Sequence, residues 1–392
     1  MTFKQRGVSR RTCLQLGASS LALAAAHATR ATAEVAQDAN RKLRLLTESP
    51  LNAETPLTEL IGDYITPNES FYVRTNGTVP SGHEDDHEIA FEGLLDRPGK
   101  ISLLELRRTF GEEERNAVLM CAGNRRTEMG KVKKVSGTPW TTGAIGNATW
   151  KGVDLGKVLS SLGPDRSAKH VWFESIDRCK MKSGGETSFG ASIPIEKALD
   201  GTTLLAQSMN GLPLTRDHGS PVRAVVPGYI GARSVKWLGK IVLSDKPSPN
   251  HYVAENYKIV SDTKPESLAA AEPIYEYSIN SLICDPAPEA SVPFGEFELR
   301  GIALPRGGRL DRIAKVEILK ADNSVLCEAK LESPGEAFCW EQWSATIKLP
   351  RGEHKLGVRA TGTQGDTQPL EPNWNALGYL FNSPHWVTFK VV

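Results

Sequence analysis

The sequence lacks the closely spaced cysteines on which many metal and haem sites depend. Its six cysteines lie far apart, the nearest two being Cys327 and Cys339, and no C-x-x-C occurs. Zinc ribbons, thioredoxin-type dithiols, ferredoxin clusters and covalently attached c-type haem all need cysteines within a few residues of one another. The sequence therefore argues against these classes. We expect no haem in this chain, and any cofactor must be held in another way.

An excess of either charge is also missing. Lys and Arg number 47 against 46 for Asp and Glu, which leaves a net charge of +1. Such a chain has no general positive field to hold a polyanion, so nucleic-acid binding is not expected. The apolar stretch at residues 14–26 is too short to span a bilayer, so we expect no stable membrane span.

Residues 1–33 have the pattern of an export signal. Basic residues precede the apolar stretch, and residues 31–33 are small, as a cleavage site requires. Arg10 and Arg11 form a pair that resembles a twin-arginine signal, with Cys13 where Phe is usual. The alternatives to a twin-arginine signal are a Sec signal or an N-terminal segment that is merely basic. The pattern predicts export to the periplasm and removal of Cys13.

Residues 34–262 combine helix and strand patterns, and they predict one α+β domain. Ser102 and Glu105 form a capping box, followed by apolar residues at helical spacing as far as Gly111. Asp154 can cap a second helix, whose apolar stripe ends at Gly163. Strand-like runs lie at 117–120, 170–173, 222–226 and 237–243.

Residues 263–392 show short alternating strands separated by turns. The alternation is clear at 296–300, 315–318 and 354–358. About seven such runs predict an immunoglobulin-like sandwich. Cys327 and Cys339 lie at equal distances from the turn at Ser333 and could face each other across a hairpin. Two ordinary strand cysteines are the alternative.

One zinc motif is present in an unfavourable setting. Residues 83–87 read H-E-D-D-H and match the H-E-x-x-H of metalloproteases, in which two histidines share one helix face. The motif follows Pro-Ser-Gly at 80–82 and has no apolar face with which a helix could pack. A solvated acidic loop is therefore the favoured interpretation.

Two other segments carry more specific chemistry. In residues 120–126 an apolar strand delivers Cys121 to its end, small residues allow close approach of a ligand, and two arginines favour the thiolate. A thiolate is a nucleophile or a soft metal ligand, whereas the alternative is a buried structural cysteine beside surface arginines. Residues 216–237 interleave Arg, His and Lys with glycines, as a phosphate-bearing cofactor would need. For each of these charged residues taken by itself, the alternative is an ordinary charged residue on the protein surface.

These two segments, together with 143–145, 189–194 and 209–211, resemble the sulfite oxidase family of molybdenum enzymes. The matches follow the same order along nearly the whole chain after the signal, and C-A-G-N-R-R, R-D-H-G and G-A-R-S-V-K-W-L are specific to that family. The resemblance implies an α+β domain that binds molybdenum through one molybdopterin, at 34–262. It also implies an immunoglobulin-like dimerisation domain at 263–392, and hence a homodimer.

The resemblance also implies roles for individual residues. Cys121 would be the thiolate ligand of molybdenum, Arg74 would contact the anionic substrate, and Tyr257 would lie near the metal-bound oxygen. Arg126 and Trp140 would line the substrate pocket. The remaining cofactor contacts implied are Tyr72, Asp177, His218, Arg223, Ser234, Val235 and Lys236.

The implied reaction is transfer of an oxygen atom to sulfite, giving sulfate, with two electrons leaving one at a time. The chain has no C-x-x-C-H, so the electrons would pass to a separate c-type cytochrome, as in the bacterial sulfite dehydrogenase branch. Three positions depart from the animal pattern: Asn76 replaces a frequent His, Ser136 a common Lys, and Leu377 a further substrate arginine. Fewer positive charges would therefore hold the anion.

Two other functions stay open at this point. An oxotransferase of the same family, such as a nitrate reductase, shares the motif at the cysteine. An exported binding protein could keep the scaffold without the metal. Molybdenum analysis distinguishes the metal-free binding protein from the two enzymes. Assays with sulfite and with nitrate distinguish the two enzymes from each other.

Overall fold

The computed structural model describes residues 41–81, 87–181, 184–308, 311–333 and 335–392. The predicted export signal and residues 83–86 of the H-E-x-x-H motif lie outside these ranges. Residues Lys42–Val392 form one compact unit. Within the described ranges, no helix combines the length and the apolar character that crossing a membrane requires.

The helices of the described ranges are short: α1 Leu103–Phe110, α2 Arg126–Val132, α3 Leu155–Leu162, α4 Ile195–Leu199, α5 His251–Ala254 and α6 Pro265–Ala270. The capping pattern is confirmed for α1, where Ser102 Oγ accepts a hydrogen bond from the Glu105 amide and Gly111 (φ 73°) ends the helix. It is confirmed for α3 as well. There the Asp154 carboxylate accepts from two amides of the first turn, and Gly163 (φ 70°) ends the helix.

The strands before residue 250 are β1 Arg44–Glu48, β2 Leu51–Glu54, β3 Val73–Arg74, β4 Glu88–Gly93, β5 Gly99–Ser102, β6 Glu113–Met120, β7 Ile145–Asp154, β8 His170–Ser175, β9 Cys179–Lys180, β10 Glu186–Thr187, β11 Gly190–Pro194, β12 Leu204–Met209, β13 Leu212–Pro213, β14 Arg223–Val225 and β15 Leu238–Ser244. Two larger sheets have the orders β11-β8-β15-β4-β5 and β13-β12-β7-β6, and β14 also pairs with β12. Their apolar faces meet α1 and α3 in one core around Phe91, Leu159 and Phe173.

The later strands are β16 Asn280–Asp285, β17 Ser291–Val292, β18 Glu296–Leu304, β19 Ile313–Lys320, β20 Val325–Leu331, β21 Glu341–Lys348, β22 Gly352–Gly362 and β23 His385–Val391. They form one curled sheet of order β16-β18-β21-β20-β19-β22-β23-β17. Strand β20 pairs with both β19 and β21, so it joins the two layers of the sandwich. The layers face each other where β16 packs on β22 and β23, across a core that includes Trp343 and Phe389. The predicted fold class, α+β followed by an all-strand sandwich, is confirmed.

The two C-terminal cysteines do not face each other. The pairing of Lys330 with Ser344 sets the register between β20 and β21, and Cys327 lies opposite Ile318 of β19. Cys339 precedes β21 and lies outside the ladder. All the cysteines of the described ranges are free. The interpretation as ordinary strand cysteines therefore holds for Cys327, whereas Cys339 belongs to the preceding loop.

Candidate functional site

The loop after β6 places Cys121 at the wall of a cavity. The amide of Cys121 donates to the Ala144 carbonyl at 2.9 Å, which continues the pairing of β6 with β7 by one residue. The chain then turns, because the amide of Asn124 donates back to the Cys121 carbonyl at 2.9 Å. The Asn124 side chain accepts from the amide of Ala144 at 3.0 Å. Both ends of the turn are thereby fixed to Ala144, the residue before β7.

The next residue, Arg125, fastens this loop to the C-terminal sheet. It is a non-glycine residue with φ 64°, and its side chain is fully buried. Its guanidinium forms an ion pair with Glu128 and donates to Asn280 Oδ1 and the Ser383 carbonyl, each at 2.8 Å. A buried arginine needs such complete pairing. The position of Cys121 therefore depends on both parts of the fold.

Cys121 opens into a cavity between the elements that carry the predicted site residues. Nine of the predicted site residues line it: Tyr72, Arg74, Cys121, Asp177, His218, Arg223, Ser234, Lys236 and Tyr257. The sequence interpretation gave the other wall residues no site role and noted only Asn76, as a departure from the animal pattern. These residues are Phe71, Asn76, Leu119, Ser175, Phe189, Asp217, Gly231, Ala232 and Trp237. Phe189, Asp217, Gly231, Ala232 and Trp237 belong to motifs already recognised, so motif membership was the signal that could have found them.

Three predicted residues do not lie on the cavity wall. Val235 is buried in the core, where its carbonyl accepts from the Ala224 amide. Trp140 is fully buried. Arg126 is buried as well, with Nη1 donating to the Thr138 carbonyl at 3.0 Å. The structure thus gathers the predicted cofactor contacts, except Val235, but not the two predicted pocket residues Arg126 and Trp140.

One side of the cavity carries buried positive charge. Arg223 donates to the carbonyls of His218 and Ser234, both at 2.9 Å, and Lys236 donates to the Asp217 carbonyl at 2.8 Å. Burial lowers the pKa of Arg223 to about 10 and the pKa of Lys236 to about 7. Their hydrogen-bond partners, which for Lys236 include the Thr75 hydroxyl, are neutral. Arg223 therefore keeps a charge that can pair with a buried anion, and such an anion would favour the charged form of Lys236.

Two glycines shape this side of the cavity. A Cβ on Gly231 would lie 2.8 Å from Tyr72 Oη, closer than a side chain tolerates. Gly219 has φ +107°, and a Cβ there would lie 3.0 Å from the Cβ of Lys236. Only glycine lets the backbone approach this closely with such a φ. These contacts keep Tyr72 and Lys236 at the cavity wall.

Arg74 and Tyr257 line the same cavity as Cys121, and both Arg74 and Cys121 act electrostatically on Tyr257. Arg74 Nη1 donates to Asn52 Oδ1 at 3.0 Å and Nη2 donates to Asn76 Oδ1 at 2.6 Å, so neutral amides orient its guanidinium. Burial raises the pKa of Tyr257, and the neighbouring Arg74 opposes this rise. The Tyr257 phenol therefore stays protonated near neutral pH and can donate a hydrogen bond.

Comparison with known proteins agrees with this arrangement. The family model "Oxidoreductase molybdopterin binding domain" matches residues 76–252, and "Mo-co oxidoreductase dimerisation domain" matches residues 271–392. Sulfite oxidase of Gallus gallus is 37% identical over 358 residues, which cover 88% of this chain and 77% of that protein. This chain belongs to the sulfite oxidase family. It is an oxidoreductase of the sulfite oxidase type.

Other relatives show the breadth of the family. Mitochondrial sulfite oxidase of Rattus norvegicus is 38% identical over 370 residues, covering 89% of this chain and 66% of that protein. Nitrate reductase [NADH] 1 of Phaseolus vulgaris is 34% identical, over 87% of this chain and 41% of that protein. The crystal structure of the sulfane dehydrogenase SoxCD from Paracoccus pantotrophus superposes with a TM-score of 0.76 at 24% identity, covering 91% of each chain. That match shows a shared fold.

The residues present fit the molybdenum cofactor of the sulfite oxidase family. Within the described ranges no three His, Cys, Asp or Glu side chains form a metal-binding group, and Cys121 is the thiol on the cavity wall. A thiolate suits a metal held otherwise by dithiolene sulfurs. Arg223, Lys236 and His218 lie together in the same cavity, where they suit the pterin's phosphate.

Retention of the cofactor should weaken as the pH rises above neutral. The pKa of Lys236 is about 7 in the free site, so binding a phosphate there must protonate Lys236 at higher pH. Below that pKa the lysine is already charged and no proton is needed. We expect more molybdenum and pterin per chain after dialysis near pH 6.5 than near pH 9.

The variant Lys236→Met should remove this pH dependence and lower the cofactor content at both pH values. Lys246→Met, which changes an exposed lysine, is the matched control and should behave as the unsubstituted chain does. Equal retention at both pH values in the unsubstituted chain would show that Lys236 does not hold the phosphate.

Proposed function

We propose that this enzyme is a periplasmic sulfite dehydrogenase, which oxidises sulfite to sulfate and passes electrons singly to a separate c-type cytochrome. The observation that carries the proposal is that Cys121, Arg74 and Tyr257 line one cavity whose other wall holds buried positive charge. The family supplies the cofactor class, and the geometry supplies a place for a small anion. The dimerisation domain supports a homodimer.

The side chains of the cavity have separable roles in this reaction. When bound, the molybdenum cofactor supplies oxygen-atom transfer and accepts two electrons. Arg74 attracts and orients the anion by charge-assisted hydrogen bonds, since Asn52 and Asn76 hold its guanidinium in place. The Tyr257 phenol donates a hydrogen bond to an oxygen in the cavity.

Two features of the sequence support the location and the acceptor. The pattern of residues 1–33 is typical of export, which favours the periplasm. No C-x-x-C-H attachment site occurs in the sequence, which favours an external cytochrome. Fractionation of cells that express the chain with residues 1–33 intact tests the location, and residence in the cytoplasm would contradict it.

The decisive assay is sulfite-dependent reduction of ferricyanide and of cytochrome c by cofactor-loaded protein, with nitrate reduction measured beside it. We expect both acceptors to be reduced with sulfite, and no nitrate turnover. Nitrate reduction without sulfite oxidation would favour the second candidate, for which the evidence is the 34% identity to a plant nitrate reductase. Protein that lacks both molybdenum and pterin after expression with its signal would contradict both functions.

Arg74→Gln should raise KM for sulfite about tenfold, because a charge-assisted hydrogen bond to the anion contributes about 1.5 kcal/mol at the lower end of its range. The effect on kcat should be smaller, since the contact exists before the transition state forms. Steady-state kinetics measure both constants. Arg108→Gln, at an exposed position on α1, is the matched control. Wild-type KM in Arg74→Gln would show that another group binds the anion.

A further inference from the structure

Two guanidinium groups and three tyrosine rings form a column of contacts beside the cavity, in the order Arg126, Tyr379, Tyr257, Arg233 and Tyr275. The Arg126 guanidinium carbon lies 5.1 Å from the ring centroid of Tyr379. Tyr379 stacks on Tyr257, with centroids 5.2 Å apart and an interplanar angle of 20°. The Arg233 guanidinium lies 5.8 Å from the Tyr257 ring and 5.5 Å from the Tyr275 ring. The cavity tyrosine therefore sits between a stacked ring and a cation.

Both cations in the column are buried and incompletely hydrogen bonded. Arg233 donates to the Ile274 carbonyl through Nε and Nη2 at 2.8 and 2.6 Å, whereas its buried Nη1 has no hydrogen-bond partner. The buried Nε of Arg126 has none either. The faces of the tyrosine rings offer these cations the favourable contact that water would otherwise give. The rings and cations thus hold one another in place.

Tyr379 comes from the segment that enters β23, far along the chain from Tyr257. Its amide donates to Asn375 Oδ1 at 3.0 Å, and its carbonyl accepts from Asn375 Nδ2 at 2.7 Å. The next amide, of Leu380, donates to the Ala122 carbonyl at 2.8 Å. Ala122 follows Cys121, so the segment that carries Tyr379 is fixed directly to the loop that carries the cysteine.

Tyr257 needs such support because its own backbone is strained. Its φ is 52°, a left-handed conformation that costs a non-glycine residue free energy and persists only where the surroundings enforce it. The carbonyl of Tyr257 accepts from the Ile274 amide at 2.8 Å, which fixes the backbone on one side. The stack on Tyr379 fixes the plane of the ring.

We propose that Tyr379 is a positioning residue, which holds the Tyr257 ring in the plane that directs its phenol into the cavity. Through Tyr379 the C-terminal part of the chain contributes to the site without contacting substrate. The proposal rests on the proposed function only in that the Tyr257 phenol takes part in turnover. Stacking requires the ring of Tyr379 and not its hydroxyl, so phenylalanine at this position should suffice.

The test uses the full, cofactor-loaded chain with 3-fluorotyrosine incorporated at position 257, and its ¹⁹F NMR spectrum is recorded beside steady-state kinetics. With Tyr379 present, the confined ring should give resolved signals that exchange slowly between its two flipped positions. In Tyr379→Leu the ring should rotate freely and give one averaged line. We expect kcat to fall about tenfold, since misplacement of a catalytic group by about 1 Å can cost up to about 100-fold. KM should change little.

Tyr379→Phe is the matched control, and it should restore both the spectrum and kcat. If Tyr379→Leu does not fold, Tyr379→Met fills the same space with an unbranched chain and serves instead. A normal kcat in the ring-free variant would overturn the proposal. So would a reduced kcat with an unchanged fluorine spectrum, because Tyr379 would then act by another route. The fluorine spectrum does not depend on which substrate is oxidised. If the proposed function fails, the chain with Tyr379 intact does not oxidise sulfite either, whereas its spectrum still differs from that of Tyr379→Leu.

Discussion

Cys121→Ser is expected to fold normally and to lose sulfite oxidation almost completely. The backbone bonds at this position, from the Cys121 amide to Ala144 and from Asn124 to the Cys121 carbonyl, do not involve the sulfur. A serine oxygen is a harder ligand than a cysteine sulfur, and a serine hydroxyl loses its proton far less readily than a cysteine thiol. The substitution therefore changes the electronics of the metal. Loss of a residue that merely orients a metal ligand costs about 10- to 100-fold, and loss of the ligand itself should cost more.

Circular dichroism, molybdenum content and steady-state kinetics together measure this result. Cys327→Ser is the matched control, because Cys327 is another free cysteine, half-buried on β20 in the C-terminal sheet. It should keep wild-type turnover. A folded, cofactor-loaded Cys121→Ser enzyme with normal sulfite oxidation would remove Cys121 from its assigned role.

Tyr257→Phe is expected to lower kcat about 100-fold while the protein keeps its fold and its molybdenum. Phenylalanine retains the ring that stacks on Tyr379, so packing should change little. What is lost is the phenolic proton donor, and positioned proton transfer typically contributes about 10²–10⁴-fold. The expected 100-fold loss is the lower end of this range, which applies where other donors share the proton transfer. Steady-state kinetics over a pH series, together with metal analysis, measure the effect.

The pH series also tests the electrostatics of the site. Burial raises the pKa of Tyr257 above its ordinary value near 10, so the phenol does not lose its proton between neutral pH and that value. The variant should therefore be slower by the same factor throughout this range. Tyr64→Phe, at a half-buried tyrosine away from the cavity wall, is the control. Wild-type constants in Tyr257→Phe would leave this tyrosine a structural role only.

Local chemistry explains which parts of the fold were predictable. The caps at Ser102 and Asp154 act within a few residues, so sequence spacing is sufficient to place α1 and α3. The alternation at 296–300 lies within β18, because a strand with one buried face leaves a period of two. The pairing of Cys327 could not be predicted in this way, since register is set by contacts between strands that sequence spacing does not report.

The candidate site was likewise predictable only in part. Cys121, His218, Arg223 and Lys236 lie in short motifs that resemble those of the family, and the structure places all four on one cavity wall. Arg126 and Trp140 were placed in the pocket by analogy, yet neither lines the cavity wall: Arg126 instead lies over Tyr379. Which way a side chain points depends on its packing partners.

The sequence by itself determined the family, the cysteine on the cavity wall and the two-part architecture, because these are carried by contiguous motifs and local periodicity. The tertiary structure alone decided that Arg125 ties the cysteine loop to Asn280 and Ser383, and that Tyr379 stacks on Tyr257. These contacts join residues more than a hundred positions apart. Such pairs are brought together by burial of the whole chain around its cores, and no local pattern encodes them.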